Sequence, residues 1–480
     1  MASISNLGVG SGLDLSTLYD NLETAENSKL TTITTQQTTV QSKITAIGQL
    51  QSALAALQTA TDALKKTDTL NATAVSSTNT AFSATTASGA VAGTYSVKVD
   101  QVAAAQTLIS GAITDATKLG STTGSTRTIT ISQGSGDPVK ITLSDSETSL
   151  TNVVKAINNS GANVSATTIK GSDGSYRLLL SSKETGTDND ITLSVDGDDT
   201  LQSAIGYDSS TGTGALSVQT ASANAKLSIN GIDVESSSNT IDDALGGVTL
   251  TLKSTSSSAE NLVVDKSVDS VKTAINSFVT AYNKVRSVVA SVTKYTAVDA
   301  GADQSTSNGA LLGDNTVRTV SNRLSSLLTS AQSDGSIAIL AQMGITIDPS
   351  VSSSGVTGSL VVDDTKLTAA LTNNSAAVTQ FFIGDGEKTG LATQMSSTLS
   401  TMLSTTTGKE GIIKTATDGF NTQISELSDR YDKMQEQIDA TMARYKTQFT
   451  QLDTLMSSLN ATSSYLTQQF SSSSSSSSSS

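Results

Sequence analysis

The sequence predicts an α+β multidomain protein with long terminal helices forming a coiled-coil stem, a helical leg domain, and two nested antiparallel β-rich head domains. Three observations lead to this prediction. Apolar residues repeat every seven positions at both ends of the chain, short alternating runs fill the middle, and only 2 of the 480 residues are proline. Seven-residue repeats are typical of paired helices, and alternating runs bounded by turn residues are typical of strands.

The first helix is predicted from Asp14 to about Lys66. Asp14 is a suitable N-cap, because its carboxylate can accept hydrogen bonds from the first free backbone N–H groups. Gly48 interrupts the helix and weakens it by about 1 kcal/mol relative to alanine. The apolar seam of this helix is formed by Ile33, Val40, Ile47 and Leu54.

The last helix carries a longer repeat. Its seam positions are Ile424, Tyr431, Ile438, Tyr445, Leu452, Leu459 and Leu466. Three companion positions, Thr441, Gln448 and Thr462, are polar, which favours a variable or mobile partner. Neither terminal helix can bury its stripe alone, so each needs the other or a neighbouring subunit.

Between the terminal helices, the runs from Ala74 to Lys253 predict antiparallel strands with turns every eight to twelve residues. Two stretches break the alternation and predict short helices: "SLTNVVKAINNSG" (149–161) and "NTIDDALGG" (239–247). The resulting strand, helix and strand pattern occurs twice, which suggests one β-rich domain inserted in another. Helical spacing returns from 268 to 292, and a further helix is predicted over 316–330.

The composition excludes most catalytic chemistry. The chain has no His, Cys or Trp, and 3% of its residues are aromatic. Because His is the usual general base and metal ligand, and Cys the best free nucleophile, triads, zinc sites and thiol chemistry are excluded, and no cofactor is predicted. The net charge of −14, without a basic cluster, disfavours nucleic-acid partners and anionic membrane surfaces. No apolar run is long enough to span a membrane, and no secretory signal precedes the first helix.

The first candidate site is the glycine-rich run that contains Gly8, Gly10 and Gly12. A dinucleotide fingerprint reads G-x-G-x-x-G after a buried strand, and a P-loop ends in Lys followed by Ser or Thr. The run here reads G-x-G-x-G, too few residues precede it for such a strand, and the first lysine is Lys29. Phosphate binding is therefore disfavoured.

Two acidic stretches are the remaining candidates. "TDNDITLSVDGDD" contains Asp188, Asp190, Asp196, Asp198 and Asp199, and "IGDGEK" contains Asp385 and Glu387. Neither has the spacing of a calcium loop, whereas Asp-Gly and Asn-Asp pairs are common in turns. Both are interpreted as turns. The ten serines at the C-terminus have no apolar surface to bury and are predicted to be disordered.

Six stretches resemble the bacterial flagellar filament capping proteins, the hook-associated protein 2 family. They are "ISNLGVGSGLDLSTLYDNL" (4–22), "AIGQLQSALAALQTA" (46–60), "AFSATTASGAVAGTYSVKVDQVAAAQTL" (81–108), "SLTNVVKAINNSGANVSATTI" (149–169), "ALLGDNTVRTVSNRL" (310–324) and "RYKTQFTQLDTLMSSLNATSSYLTQQF" (444–470). The resemblance covers residues 3–470, and the two ends are its most specific parts. The poly-serine tail does not match the family.

The resemblance implies a non-enzymatic assembly protein. Members of the family form a ring-like homo-oligomer, usually a pentamer, at the distal tip of the flagellar filament, where it retains exported flagellin and promotes its folding and insertion. The implied partners are other copies of the chain, flagellin, the hook-filament junction proteins and a cytoplasmic export chaperone that binds the C-terminal helix. The implied location is extracellular, after passage through the flagellar export channel.

The resemblance also suggests a division of the chain and roles for its residues. We expect a terminal stem (1–42 with 434–480), a leg domain (43–70 with 275–433), a β head domain (71–107 with 203–274) and an inserted outer β head domain (108–202). The seam residues named above are candidates for oligomer and chaperone contacts, and the three glycines for a pliable N-terminal leader. A tip adhesin and a hook-filament junction subunit remain alternatives, and an acidic hydrolase is a remote one.

Overall fold

The computed structural model describes residues 8–9, 12–121, 126–332, 335–348 and 356–475. The contacts of the chain divide it into two compact units. The helical unit comprises Met1–Thr69 and Lys272–Ser480, and the β unit comprises Leu70–Val271.

The helices are numbered in chain order. The described residues form the α-helices α1 (Leu15–Lys65), α2 (Thr67–Leu70), α3 (Leu150–Asn159), α4 (Asp199–Ile205), α5 (Val268–Val292), α6 (Asn315–Thr329), α7 (Asp364–Asn373), α8 (Ser375–Ile383), α9 (Leu391–Leu403) and α10 (Ile412–Ser475). Short 3₁₀ turns lie at Asp145–Glu147, Thr187–Asn189 and Leu340–Met343.

Strands are numbered in the same way. Those of the first half of the β unit are β1 (Thr73–Ser76), β2 (Phe82–Thr86), β3 (Gly93–Gln101), β4 (Thr107–Ser110), β5 (Arg127–Gln133), β6 (Val139–Leu143), β7 (Val164–Lys170), β8 (Tyr176–Ser182) and β9 (Ile191–Asp196). The others are β10 (Tyr207–Asp208), β11 (Thr213–Gly214), β12 (Leu216–Thr220), β13 (Ala225–Ile229), β14 (Ile232–Ser236), β15 (Thr240–Leu245), β16 (Val248–Leu252) and β17 (Glu260–Lys266), with β18 (Ile345–Ile347) and β19 (Leu360–Val362) in the helical unit.

The helical unit is built around α1, which is 51 residues long. Asp14 caps the helix as predicted, since its Oδ1 accepts a hydrogen bond from the Thr17 N–H at 3.2 Å. The helix packs along α10 and along α9, and the Ser396 hydroxyl of α9 donates to Asp62 Oδ1 of α1 at 2.6 Å. The long helix α10 and the shorter helix α9 therefore both pack against α1.

Helix α5 joins the helical unit through Asn283 and Arg286. The Arg286 guanidinium donates from Nη1 to the Ser321 hydroxyl of α6 at 2.7 Å and from Nη2 to the Thr357 carbonyl at 2.8 Å. The Asn283 amide donates to the Leu360 carbonyl and accepts from the Leu360 N–H. These bonds fix α5 against α6 and the short β18–β19 ribbon.

The β unit contains two separate hydrophobic cores. The first lies between a five-stranded sheet of order β1-β17-β3-β13-β14 and a three-stranded sheet of order β15-β16-β2, and it draws on residues 81–103 and 225–264. The second lies between sheets of order β11-β10-β9-β5-β6 and β12-β4-β8-β7, with α3 and α4, and it draws on residues 108–216. Every strand pair that the described residues of the β unit form is antiparallel.

The predicted fold class is confirmed: the chain has long terminal helices and, between them in sequence, two nested β-rich cores and further helices. The division into four domains stays a prediction. The helices predicted over 14–66, 149–161, 268–292 and 316–330 are all present, with ends within a few residues.

One predicted element is wrong. The sequence predicts a short helix over 239–247, but Thr240–Leu245 forms β15, which pairs antiparallel with β16. The two glycines that follow explain the difference, because Gly247 has a φ of +70° and a Gly-Gly pair between two short runs is a hairpin turn. The stretch before it pairs with β16 at Thr240, Ile241 and Leu245, around a shift in register, whereas an isolated helix of that length is not stable.

The serine tail also departs in part from its prediction. Helix α10 continues to Ser475, five residues into the tract, and the Ser471 hydroxyl donates to the Thr467 carbonyl at 2.7 Å. Each residue added to an existing helix gains a backbone hydrogen bond without a new nucleation cost, which lets a polar tract extend it. Residues 476–480 lie outside the described part of the chain.

Candidate interaction surface on the terminal helices

The two predicted seams meet in an antiparallel hairpin within one chain. One apolar cluster joins Leu30 of α1 with Ile438 and Met442 of α10. A second cluster joins Val40 of α1 with Leu427 of α10. Residue numbers on α1 increase as those of their partners on α10 decrease, so the two helices run in opposite directions. Along this length the two terminal helices of the stem therefore pair with each other within one chain.

The structure places the predicted seam residues in three environments. Those of α1 are all buried: Ile33, Val40, Ile47 and Leu54. On α10, Ile438 is buried, and the half-buried positions are Ile424, Tyr431 and Tyr445. The later positions Leu452, Leu459 and Leu466 are exposed.

The change from buried to exposed marks the end of the hairpin. Leu15, the first residue of α1, lies 15 positions before Leu30, and Ser457 lies 15 positions after Met442, which packs against Leu30 on the antiparallel α10. Every residue from Ser457 to Ser471 is exposed, whichever side of the helix it occupies. The side chains on the covered face keep a spacing near 3.6 residues. They are Leu427, Tyr431, Met434, Ile438, Met442, Tyr445, Phe449 and Met456.

The distal part of α10 therefore presents an apolar stripe that α1 does not cover. We call this surface the distal stripe and define it by Leu452, Leu455, Leu459 and Leu466, which are 38%, 58%, 53% and 48% exposed. From Leu452 to Ser475 the helix extends about 36 Å at 1.5 Å per residue. Asp453 is the single charged residue between Thr450 and Phe470. A nearly uncharged, regularly spaced apolar face on a long helix is a typical protein-interaction surface.

The glycine run forms a turn before α1 where it is described. The Gly12 N–H donates to the Gly8 carbonyl at 2.9 Å, and both residues have positive φ, +98° for Gly8 and +72° for Gly12. A Cβ on Gly8 would lie 2.0 Å from the Leu13 carbonyl oxygen, whereas one on Gly12 would meet nothing within 4 Å. Gly10 lies outside the described residues. The role of the glycines as a pliable leader stays a prediction.

The acidic stretches form caps and turns. The Asp385 carboxylate accepts hydrogen bonds from the N–H groups of Glu387, Lys388 and Thr389 at 2.7–2.9 Å. These backbone donors, with Thr389 the strongest, hold the pKa of Asp385 far below its ordinary value. Asp198 caps α4 through hydrogen bonds from Thr200 and Leu201. Across the described residues, no three or more acidic side chains are grouped so that they could hold a metal ion.

A buried ion pair in the β unit is the feature that sequence reasoning missed. Arg127 Nε lies 2.8 Å from Asp198 Oδ2, and its Nη2 lies 2.8 Å from Asp145 Oδ1. Arg127 also donates to the Ser144 and Ser121 carbonyls at 3.2 Å. The Nε–H is not aligned for a good hydrogen bond to any acceptor, so the contact with Asp198 is an ion pair. These contacts fasten the start of β5 to the end of β9 and the N-terminus of α4.

The β unit also has an open polar cleft of about 790 Å³. Its walls carry the side chains of Gln133, Asp137, Asn163, Asp188 and Asn189, together with small and aliphatic residues. Gly134 brings the two walls close together, since a Cβ there would lie 2.2 Å from the Asp188 carbonyl oxygen. Sugar-binding sites usually contain an aromatic platform, and no aromatic residue lines this cleft.

Family models match most of the chain. The model described as "Flagellar hook-associated protein 2 C-terminus" matches residues 222–461, and the corresponding N-terminus model matches residues 11–106. A third model, "Flagellin hook IN motif", matches residues 128–184. The chain belongs to the flagellar hook-associated protein 2 family. The resemblance stated from the sequence is therefore confirmed.

Related proteins match this chain over nearly its full length. The chain is 48% identical over 472 residues to flagellar hook-associated protein 2 of Escherichia coli K12, covering 98% of both chains, and 42% identical over 473 residues to that of Salmonella typhimurium. It is also similar to the crystal structure of the D1-D2-D3 domains of the flagellar cap protein from Escherichia coli. That match has a TM-score of 0.64 and 44% identity, and it covers 78% of this chain and 99% of the other.

Membership of the hook-associated protein 2 family defines the chain as a structural cap protein and not an enzyme. The predicted absence of catalytic chemistry agrees with this family assignment. Within the described ranges, no helix is both long enough and apolar enough to cross a membrane.

Proposed function

We propose that this chain forms a ring-like homo-oligomer at the distal tip of the bacterial flagellar filament, where it retains exported flagellin and promotes its folding and insertion. Family membership supports the location, since the relatives are named as flagellar cap and hook-associated proteins. The distal stripe is the observation that carries the proposal. It is an apolar helix face about 21 Å long, from Leu452 to Leu466, that the chain's own seam does not cover.

The distal stripe serves two stages of assembly. Before export, a cytoplasmic chaperone covers it, because an exposed apolar face of this size promotes aggregation. After passage through the export channel, the stripe engages protein at the filament tip. The absence of cysteine suits such a route, since a chain that crosses a channel unfolded carries no thiol to form a wrong disulfide.

Deletion of the gene with complementation tests the proposal. We expect the deletion strain to keep its hooks, to lack filaments and to release flagellin as monomer into the medium, and we expect the wild-type gene to restore filaments. Filaments of normal length in the deletion strain would overturn the proposal.

Different observations separate the alternatives from a cap. A hook-filament junction subunit would be incorporated at the base of every filament, so its position on the flagellum distinguishes it from a cap. A tip adhesin would leave filament growth intact when deleted. The polar cleft does not favour the adhesin, because it lacks an aromatic platform.

A further inference from the structure

The helical unit contains a groove that its own side chains do not fill. The groove lies between α1 and α5 and has a volume of about 840 Å³. On α1 it is lined at helical spacing by Gly48, Ser52 and Ala56, and on α5 by Lys284 and Val288. Both helices thus present one face to the same open groove.

Gly48 lies on the α1 side of this groove and has no structural reason within the chain to be glycine. A Cβ there would meet nothing within 4 Å, and the residue is exposed. Its φ is not positive, and a glycine in the middle of a helix costs about 1 kcal/mol relative to alanine. A glycine, which has no side chain, does allow the backbone of another helix to approach closely in this groove.

We propose that the distal stripe of one copy of this chain docks into the α1–α5 groove of a second copy. The inference deepens the proposed function, on which it rests for the ring, by naming the two surfaces that join neighbouring subunits.

The groove is long enough to receive the stripe. The α1 wall from Thr45 to Ala56 spans about 17 Å, and Leu452 to Leu459 spans about 10 Å at 1.5 Å per residue. Leu452, Leu455 and Leu459 have the i, i+3 and i+7 spacing of a helix that lies in a groove. The distal stripe also continues the leucine heptads of the stem seam, so its partner is expected to be helical.

Docking within one chain is excluded by the continuity of α10. Ile424 belongs to the cluster that contains Val40 and Ile44, close in sequence to the groove. Leu455 lies about 46 Å of unbroken helix beyond Ile424, in the direction away from Gly48. The donor and acceptor surfaces of one chain therefore cannot meet, and they serve two different neighbours.

Such an interface is heterologous, since one surface of each copy binds a different surface of the next. Heterologous contacts generate a ring when the rotation closes. Two copies whose distal stripes paired with each other would form an isologous interface instead, which ends at a dimer. The two arrangements are distinguished by how variants complement each other.

The test uses the full chain and sedimentation equilibrium over a range of concentrations. Gly48→Leu fills the groove, and the double variant Leu455→Gln/Leu459→Gln removes the stripe while keeping good helix formers. We expect each to weaken self-association at least tenfold. Gly419→Leu is the matched control for the groove, because Gly419 is also a helical glycine whose Cβ would meet nothing within 4 Å.

Ser457→Gln/Ser464→Gln is the matched control for the stripe, because both serines lie on the opposite side of α10. We expect both controls to associate like the wild-type chain. Circular dichroism checks that every variant keeps its helix content.

Mixing the two disabled chains is the decisive step. The Gly48→Leu chain keeps its stripe and the Leu455→Gln/Leu459→Gln chain keeps its groove, so we expect them to form a one-to-one heterodimer and nothing larger. No heterodimer, equal losses in the controls, or a wild-type chain that stays monomeric would each overturn the inference. If the groove variant still associates normally and the wild-type gene restores filaments, the inference fails and the proposed function stands.

Discussion

Arg127 and Asp198 form an ion pair in the interior of the β unit, with 2.8 Å between Nε and Oδ2 and side chains that are 1% and 0% exposed. The pair joins residues 71 positions apart in the sequence, at the place where β5, β9 and α4 meet. Asp198 also accepts a hydrogen bond from the Ser121 N–H at 2.9 Å. One carboxylate thus neutralises a buried cation and caps a helix.

Asp198→Asn tests the charge separately from the cap, because asparagine caps a helix about as well as aspartate. Removing one partner of a buried pair leaves an uncompensated charge, so we expect the β unit to lose about 3 kcal/mol of unfolding free energy. Asp145, which is half exposed, retains part of the compensation. Hydrogen exchange of β5 and β9 is the measurement. Arg127→Met combined with Asp198→Asn should lose less than Asp198→Asn alone, and an equal or larger loss would contradict this role.

The same carboxylate makes the β unit sensitive to acid. Burial works to raise the pKa of Asp198, but the Leu201 and Ser121 N–H donors and the Arg127 guanidinium outweigh it and lower the pKa below its ordinary value of 3.8. A lowered pKa stabilises the fold above pH 3.8 and loses that stabilisation as the pH falls through the folded-state pKa. We expect thermal stability of the β unit to decline below about pH 4, and to decline less in Asp198→Asn. Equal slopes in both proteins would exclude Asp198 as the cause.

Ile438→Asp tests the stem hairpin. Ile438 is 2% exposed and packs in one cluster with Leu30 and Met442, so a carboxylate there loses apolar contacts and is buried without a partner. We expect the local opening free energy of α1 and α10 to fall by about 3 kcal/mol or more, measured by hydrogen exchange, while the β unit exchanges as before. Ser457→Asp, on an exposed part of α10, is the control. Unchanged exchange in the Ile438 variant would mean that the seam does not hold the hairpin.

Gly8→Ala and Gly12→Ala are expected to differ. A Cβ on Gly8 would overlap the Leu13 carbonyl, so the turn before α1 must open, whereas Gly12→Ala meets only the cost of a positive φ, about 1–2 kcal/mol. Hydrogen exchange of the first turn of α1 should increase in the order Gly12→Ala, then Gly8→Ala. In cells, we expect Gly8→Ala/Gly10→Ala/Gly12→Ala to reduce swarming. Normal export and motility of that triple variant would contradict the prediction that these glycines form a pliable N-terminal leader.

The sequence was most informative where helix geometry sets the pattern. Ile33, Val40, Ile47 and Leu54 were predicted from seven-residue spacing, and all four are buried, since a repeat near the helical period must lie on one face. The same spacing could not show that Leu452 and Leu459 are exposed, because it does not contain the position along α10 at which the antiparallel α1 begins.

Other features left no local signal. Arg127 and Asp198 are far apart in sequence, and their meeting depends on the order of strands in a sheet. The groove beside Gly48 arises from the distance between α1 and α5, which sequence spacing does not contain. By contrast, the wrong prediction of a helix at 239–247 could have been avoided from the sequence, because the Gly-Gly pair at its end indicates a hairpin turn.

The position of the protein on the flagellum tests the central proposal most directly. The chain has no cysteine, so Ser172→Cys, at an exposed position in the β unit, allows one specific maleimide-gold label per copy. Electron microscopy of intact flagella from a strain that makes this variant should show gold only at the distal ends of the filaments. Label along the filaments or at the hook junction would contradict the cap.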